Sequence, residues 1–269
     1  MDFATIVGIF GAVAALVLGF TIDGGSLSAL IQFSSMILVL GGTLGATLVT
    51  VQLKQFIRIF SYIKIAVMYK PADPLDIIEK LTTYAQIARR EGVLALDERL
   101  EKINDPFLLS GLRSAVDGVD PELVRELLET ELIHIEERHK VGARMFEAAG
   151  GFAPTMGIIG TVMGLVHVLG DLTNVSKLGP QIAAAFTATL YGVSSANIFW
   201  LPIANKLKLR NHEEILIREI EIEGILSIQA GENPNMINQK LRAFLAPSER
   251  QRKGKTGEES GTSKEAAQA

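Results

Sequence analysis

The stretch Ala153-Pro154-Thr155-Met156-Gly157-Ile158-Ile159-Gly160-Thr161-Val162-Met163-Gly164 decides how the rest of the chain is read. It lies inside a run from Ala148 to Gly170 that contains no Asp, Glu, Lys or Arg. A helix needs about 20 apolar residues to cross a bilayer core, and this run supplies them. Gly157, Gly160, Thr161 and Gly164 fall three or four apart and so share one helix face. Small residues on one face let a second helix approach closely in lipid. The face therefore reads in two ways: as a packing seam, or as the border of an ion path flanked by Pro154 and Thr161.

Three further runs have the same character. Phe3 to Ile22 is uncharged, and Asp2 and Asp23 flank it. Asp23-Gly24-Gly25-Ser26 is a turn by composition. Leu27 to Leu53 is uncharged again, with Gly41, Gly42 and Gly45 in its middle. The fourth run starts at Gly179-Pro180 after a loop from Asp171 to Lys177, and carries no charge until Lys206. Its small-residue face holds Ala184, Ala185, Ala188, Thr189, Gly192, Ser195 and Ala196. Trp200 suits an interfacial belt, and Pro202 is expected to kink or end regular helix geometry there. The start lacks the basic region of a cleaved signal, so the first run reads as a retained span.

Charge orients these spans. Of 26 Lys and Arg, only Lys177 falls outside the segments that follow the second and fourth spans or precede the third. By the positive-inside rule those segments and both termini are cytoplasmic. The expected fold is all-α: an integral membrane protein with four transmembrane helices and a helical cytoplasmic domain. Its divisions fall at residues 1–53 (spans one and two), 54–149 (cytoplasmic helices), 150–205 (spans three and four), 206–246 (a helical C-terminal segment) and 247–269 (a disordered, Ser-, Gly-, Lys- and Glu-rich tail).

Within 54–149 three Asp-Pro pairs, Asp73-Pro74, Asp105-Pro106 and Asp120-Pro121, read as helix starts, because Asp caps and Pro fits the first helical position. The helix after Asp120 is expected to run towards Ala149 and into the membrane, loosened or kinked near Gly150, Gly151 and Pro154. Glu213 to Leu226 is a candidate amphipathic helix, and Pro234 to Leu245 another. Between the first two capped helices, Arg89 and Arg90 precede an apolar turn, and Asp97, Glu98 and Glu101 follow it. This is either a solvated helix end or a charged docking surface for a soluble partner.

The chemistry the residues allow is narrow. No span contains a carboxylate, and proton or cation carriers usually need one in the membrane. The chain offers hydroxyls instead: Thr155, Thr161, Thr187, Thr189, Ser194 and Ser195. Such oxygens help hold a hard cation once another chain supplies the charge. His167, near the outer end of span three, reads as interfacial or satisfied. There is no cysteine, no phosphate-binding glycine loop and no paired histidine at zinc-protease spacing, so the expectation is no enzyme, no metal site, no cofactor and no nucleic-acid partner.

Several motifs together carry a family resemblance. The opening Met-Asp-Phe-Ala-Thr, Gly41-Gly42-Thr43, Ala88-Arg89-Arg90-Glu91-Gly92-Val93-Leu94-Ala95-Leu96, Ala153-Pro154-Thr155-Met156-Gly157, Ala188-Thr189-Leu190-Tyr191-Gly192 and Pro202-Ile203-Ala204-Asn205-Lys206-Leu207 resemble flagellar stator A subunits of the MotA, PomA and MotP family, over roughly residues 1 to 245. The resemblance implies a homo-oligomeric ring in the bacterial inner membrane around a dimer of B subunits. The B subunits would carry the ion-binding aspartate and grip peptidoglycan, and ion flow would become torque on a rotor. By motif match Arg89 and Asp97 stand at rotor-facing charges, with Arg90, Glu98 and Glu101 beside them; Asp97 departs from the usual Glu. Pro154 and Pro202 match the family's two functional prolines. Ile159-Gly160-Thr161 resembles the sodium-type PomA and MotP branch, which implies a transported sodium ion at Thr161 and Thr189. A proton-driven stator, an ExbB- or TolQ-like envelope energiser and a solute-transporter subunit are the alternatives.

Overall fold

The computed structural model describes residues 3–69, 72–170, 172 and 175–250. The tail beyond 250, and Asp171, Thr173 and Asn174 of the expected outer loop, lie outside these residues. Among the described residues every regular element is helical. Four helical segments are long and apolar enough to cross a membrane: Phe3–Ile22, Leu27–Thr50 and parts of Pro121–Gly170 and Val175–Gln229.

Helix α1 is Phe3–Ile22. It ends where the Asp23 N–H bonds the Gly19 carbonyl and Gly24 adopts φ 85°, a backbone open mainly to glycine. The second span is less regular than its uniform apolarity predicts. A 3-10 turn, Leu27–Leu30, gives way to extended backbone at Ile31 and Gln32. Helix α2 then runs through Phe33–Met36, a π turn at Ile37–Gly41, and Gly42–Thr50. Broken backbone survives in a membrane only if its polar groups are satisfied within the protein. Here the Gln32 N–H donates to the Tyr191 hydroxyl at 3.0 Å, and that hydroxyl donates to the Leu30 carbonyl.

Six further helices longer than two turns follow. They are α3 (Ile59–Met68), α4 (Pro74–Glu91), α5 (Pro106–Val116), α6 (Pro121–Gly170), α7 (Val175–Gln229, with a π turn at Ala196–Trp200) and α8 (Pro234–Arg242). All three Asp-Pro starts are present. Asp73 accepts from the Leu75 N–H, Asp105 from those of Phe107 and Leu108, and Asp120 from that of Glu122. Asn233 caps α8 in the same way. Helix α6 passes unbroken through Gly150, Gly151 and Pro154.

Glu213 to Leu226 is helical as read, but as the continuation of α7 rather than a separate helix, since neither Gly nor Pro intervenes between Pro202 and Gly224. At Pro202 the helix continues while its regular geometry is interrupted just before: a π turn widens it, and the Leu201 N–H reaches back to the Ala196 carbonyl. A wide turn accommodates the proline ring and the donor it lacks. At the start of the expected tail, Arg250 donates through Nε to the Leu245 carbonyl and through Nη2 to that of Ala243.

Packing divides the described residues into two units, one within 1–70 and 138–210, the other within 71–137 and 211–250. These limits follow how closely the backbone segments pack, whereas the boundaries expected at 53/54, 149/150 and 205/206 follow the membrane. The first unit has a core in which Ala143, Ala149, Ala153, Ala196 and Ala204 pack among larger side chains, with Phe146 and Trp200 as its aromatic members. Trp200 is buried. Its ring lies 5.9 Å from Phe146 and meets Phe199 edge-on at 4.9 Å.

The second unit is built on Ile78, Leu81, Leu112, Leu128, Ile220, Ile225 and Ile237, all with no exposed surface. Each such side chain contributes roughly 1.5–3 kcal/mol by burial. At its edge, Arg218 of α7 donates to both Asp105 oxygens at 2.7 Å and to Glu221 Oε2 at 2.9 Å, and lies 5.0 Å over the Phe107 ring. Asp105 thus caps α5 and ties it to α7. Glu221 is wholly buried, and its Oε1 has no hydrogen-bond partner.

Burial pushes the Glu221 carboxyl up to about 7 despite Arg218, with Asp105 and Glu214 adding repulsion. Arg218 itself is raised: burial works against its charge, but Glu221 and Asp105 outweigh that. For Glu221 the folded state binds the proton more tightly than the unfolded chain. Its ionisation therefore costs stability as pH rises from about 4.5 through 7, by about 3 kcal/mol in full. Below that window the carboxyl is neutral in both states and the cost vanishes. We expect Glu221→Gln to remove this fall. Thermal melts of the detergent-solubilised chain at pH 5 and pH 8 should converge in the variant and diverge in the wild type.

Candidate functional site

Spans three and four meet along a seam of glycine and alanine. A Cβ on Gly157 would lie 3.0 Å from the Ala188 carbonyl oxygen and 3.2 Å from the Gly192 Cα. A Cβ on Gly160 would meet that of Ala188 at 2.6 Å, and on Gly164 that of Ala185 at 2.5 Å. On the opposite helix a Cβ on Gly192 would lie 2.5 Å from the Ala153 carbonyl oxygen. Backbone meets backbone here, so the spacing read from α6 is a packing seam, as its small residues predict.

The seam also gathers oxygen. Thr161 Oγ1 and Thr189 Oγ1 are hydrogen-bonded to each other across it. Thr161 Oγ1 also lies within donating distance of the Gly157 carbonyl at 3.1 Å and the Ala185 carbonyl at 3.2 Å, and Thr189 Oγ1 of the Gly157 carbonyl at 3.3 Å; each hydroxyl has one hydrogen to give among these acceptors. Two hydroxyls and two carbonyls thus converge, half-buried, in a segment without charge. Thr161 bonds its own helix and also reaches the neighbouring one. The packing and ion-path readings of this face are therefore compatible, because close backbones are what bring the two threonines together.

The other hydroxyls do not join. Thr155 bonds the Phe152 carbonyl, Thr187 those of Ala183 and Ala184, and Ser195 that of Gly192, each within its own helix. Ser194 lines an apolar cavity of about 660 Å³ with Val13, Leu16, Phe20, Leu190 and Phe199. A cleft of about 260 Å³ lies on the seam at Gly160 and Gly164, lined also by Ser34, Ser35, Gln181 and His167. His167 is exposed. Among the described residues no cluster of His, Asp and Glu could hold a metal ion.

Pro154 sits half-buried one residue from Ala153, whose carbonyl touches Gly192. It leaves the Gly150 carbonyl without its helical donor. Pro202 is exposed, directly after the π turn. One participant escaped the sequence reading: Tyr191, beside Thr189 and Gly192, which holds the break in the second span. A tyrosine hydroxyl in an uncharged span signals a needed partner, but sequence does not say which backbone it serves.

The second unit carries the charged segment. Helix α4 ends at Glu91, and Gly92 turns the chain with φ 90° and ψ 157°. The 3-10 turn Val93–Leu96 and the short helix Asp97–Leu100 follow. Arg89, Arg90, Asp97, Glu98 and Glu101 are all exposed, and none makes an ion pair within 4.0 Å among the described residues. Their charges are available to another molecule.

Comparison with known proteins agrees with this arrangement. A profile of the MotA/TolQ/ExbB proton channel family matches residues 99–220, and a Motility protein A N-terminal profile matches 6–92. The chain is 37% identical to Motility protein A of Bacillus subtilis (strain 168), covering 96% of each chain. It is 36% identical to the chemotaxis protein PomA of Vibrio alginolyticus, covering 93% of this chain and 98% of PomA. Its fold matches the flagellar MotAB stator complex from Bacillus subtilis with a TM-score of 0.86 at 36% identity, over 91% of this chain and 96% of that one.

The seam makes a sharp test. Gly192→Ala places a Cβ against the backbone oxygen of Ala153, where nothing flexible can yield. We expect a loss of about 1–3 kcal/mol from overpacking, read as a lower melting temperature in detergent. Gly41→Ala, with open space around its Cβ, should melt like the wild type.

Proposed function

Because the chain belongs to the MotA/TolQ/ExbB proton channel family, we propose that it is the A subunit of a flagellar stator that couples a flow of sodium ions to torque on a rotor. One observation carries the ion reading: the hydroxyls of Thr161 and Thr189 and the carbonyls of Gly157 and Ala185 converge on one seam. Sodium must exchange most of its water for other oxygens before it crosses. A proton needs only a carboxylate to accept it. Since the spans hold no carboxylate, the charged ligand comes from a second chain, a B subunit with an acidic residue in its own span. The chain's relatives include both Motility protein A and PomA at nearly equal identity, so the choice of ion rests on these oxygens.

In this reading several copies of the chain surround the B subunits in the inner membrane, with both termini in the cytoplasm. Pro154 and Pro202 loosen α6 and α7 where those helices must bend during each cycle. Each removes one backbone donor and so one hydrogen bond that would resist bending. The five unpaired charges of the cytoplasmic unit face the rotor.

Swimming speed against sodium concentration at fixed pH tests the ion. The wild type should speed up with sodium, and Thr161→Ala should need several-fold more sodium for half-maximal speed. Speed independent of sodium, and abolished by a protonophore at high sodium, would make this a proton motor with Thr161 a packing residue.

Charge reversal tests the rotor face. Arg89→Glu and Asp97→Lys should each reduce motility in part, because charges at a wet rim are worth only about 0–1 kcal/mol each. The double reversal should nearly abolish it while membrane level and B-subunit co-purification stay normal. Unchanged swimming in the double variant would remove this surface from the motor.

A further inference from the structure

The charged segment holds a feature that charge does not explain. Leu94 is 74% exposed, the most exposed large apolar side chain of the cytoplasmic unit among the described residues. The turn that carries it is firmly held. Val93 packs half-buried on the core, and Leu96 and Leu100 are 1% and 2% exposed. The Gly92 N–H bonds the Ala88 carbonyl at 3.0 Å, and the Ala95 N–H bonds the Gly92 carbonyl at 3.1 Å. Gly92 takes the left-handed φ that reverses the chain. The apolar residues on either side of Leu94 are thus pinned inward while Leu94 projects into water.

A lone exposed leucine is ordinary on a protein surface. Its setting is not. Along the chain Leu94 stands between the exposed basic pair Arg89 and Arg90 and the exposed acids Asp97, Glu98 and Glu101, none of them ion-paired, with exposed Glu91 beside the first group and exposed Arg99 within the second. Protein interfaces place apolar anchors centrally and charges at the rim. Rim charges steer and select but bind weakly, whereas an anchor that sheds water sets how long the contact lasts. A rigid turn lowers the entropy lost when the anchor docks.

We propose that Leu94 is the apolar anchor of the docking surface. It inserts into a cleft on a rotor protein flanked by acidic side chains opposite Arg89 and Arg90 and basic side chains opposite Asp97, Glu98 and Glu101. This rests on the reading of that surface as rotor-facing. The mirrored charge pattern identifies the partner's chemistry, and the leucine defines an apolar notch between its two charged patches.

The experiment uses the whole stator in motile cells. Fluorescent stators carrying Leu94→Ala, Leu94→Asp or Leu94→Met are followed at single motors, and a photo-crosslinking amino acid is placed at position 94. We expect the dwell time at the motor to fall roughly tenfold for Leu94→Ala, to vanish for Leu94→Asp and to be kept by Leu94→Met. Membrane level and B-subunit co-purification should stay normal in all three. The crosslink should capture a rotor protein. Normal dwell in Leu94→Asp, with dwell still lost in the Arg89→Glu, Asp97→Lys double variant, would overturn the anchor and leave a purely electrostatic surface. Normal dwell in both would overturn the surface reading itself. A crosslink to a second copy of this chain would assign Leu94 to the ring instead and overturn the proposal.

Discussion

The contact on which the membrane unit depends is the approach of two backbones, Gly157 to Gly192, with Gly160 and Gly164 set against Ala188 and Ala185. In lipid there is little hydrophobic gain when helices associate, so van der Waals contact and interhelical hydrogen bonds must hold them. Glycine permits both. It lets the helices close until the Thr161 hydroxyl reaches the Ala185 carbonyl on the neighbouring helix. A larger residue at any of these positions would open the seam and separate the oxygens. Stability and the candidate ion site therefore draw on the same few atoms.

The same economy appears at the second span. Its backbone is broken at Ile31 and Gln32, which in lipid would expose unbonded peptide groups. Tyr191 satisfies one donor and one acceptor there with a single hydroxyl. Tyr191, Thr189 and Gly192 thus lie within one turn of α7 and join that helix to both of its neighbours. The Ser35 hydroxyl adds a bond to the Ala184 carbonyl at 3.2 Å. Tyr191, Ser35, Thr161 and Thr189 thus bind helices to one another, while Thr155, Thr187 and Ser195 bond their own.

The second unit follows different rules. Its interior is almost wholly aliphatic, with Phe107 as its aromatic member, and its ion pairs lie at the edges, with one exception at Glu221. That carboxylate shares Arg218 with Asp105 and Glu214, so its partner's charge is divided and burial prevails. Elsewhere charges stay in solvent, and in the segment from Arg89 to Glu101 those of Arg89, Arg90, Asp97, Glu98 and Glu101 make no ion pair among the described residues. A surface that spends no charge on its own fold can spend it on another protein.

Much of this was legible in the sequence. The four spans, the three Asp-Pro helix starts, the small-residue face of α6 and the lack of a carboxylate in the membrane follow from charge, length and period, which are local. Thr161 and Thr189 could be named as candidates because each lies on a small-residue face. What only the tertiary structure decided depends on residues far apart in the chain meeting. It showed that Thr161 and Thr189 share a hydrogen bond while Thr155, Thr187 and Ser195 bond their own helices. It buried Trp200 against Phe146, and it showed that the break in regular geometry expected at Pro202 is a π turn within a continuing helix. It also showed Leu94 outward and Leu96 inward on one short turn. The physical reason is common to these cases. A hydrophobic or hydroxyl side chain announces a need for a partner, but the helix that supplies it is set by packing across the whole unit.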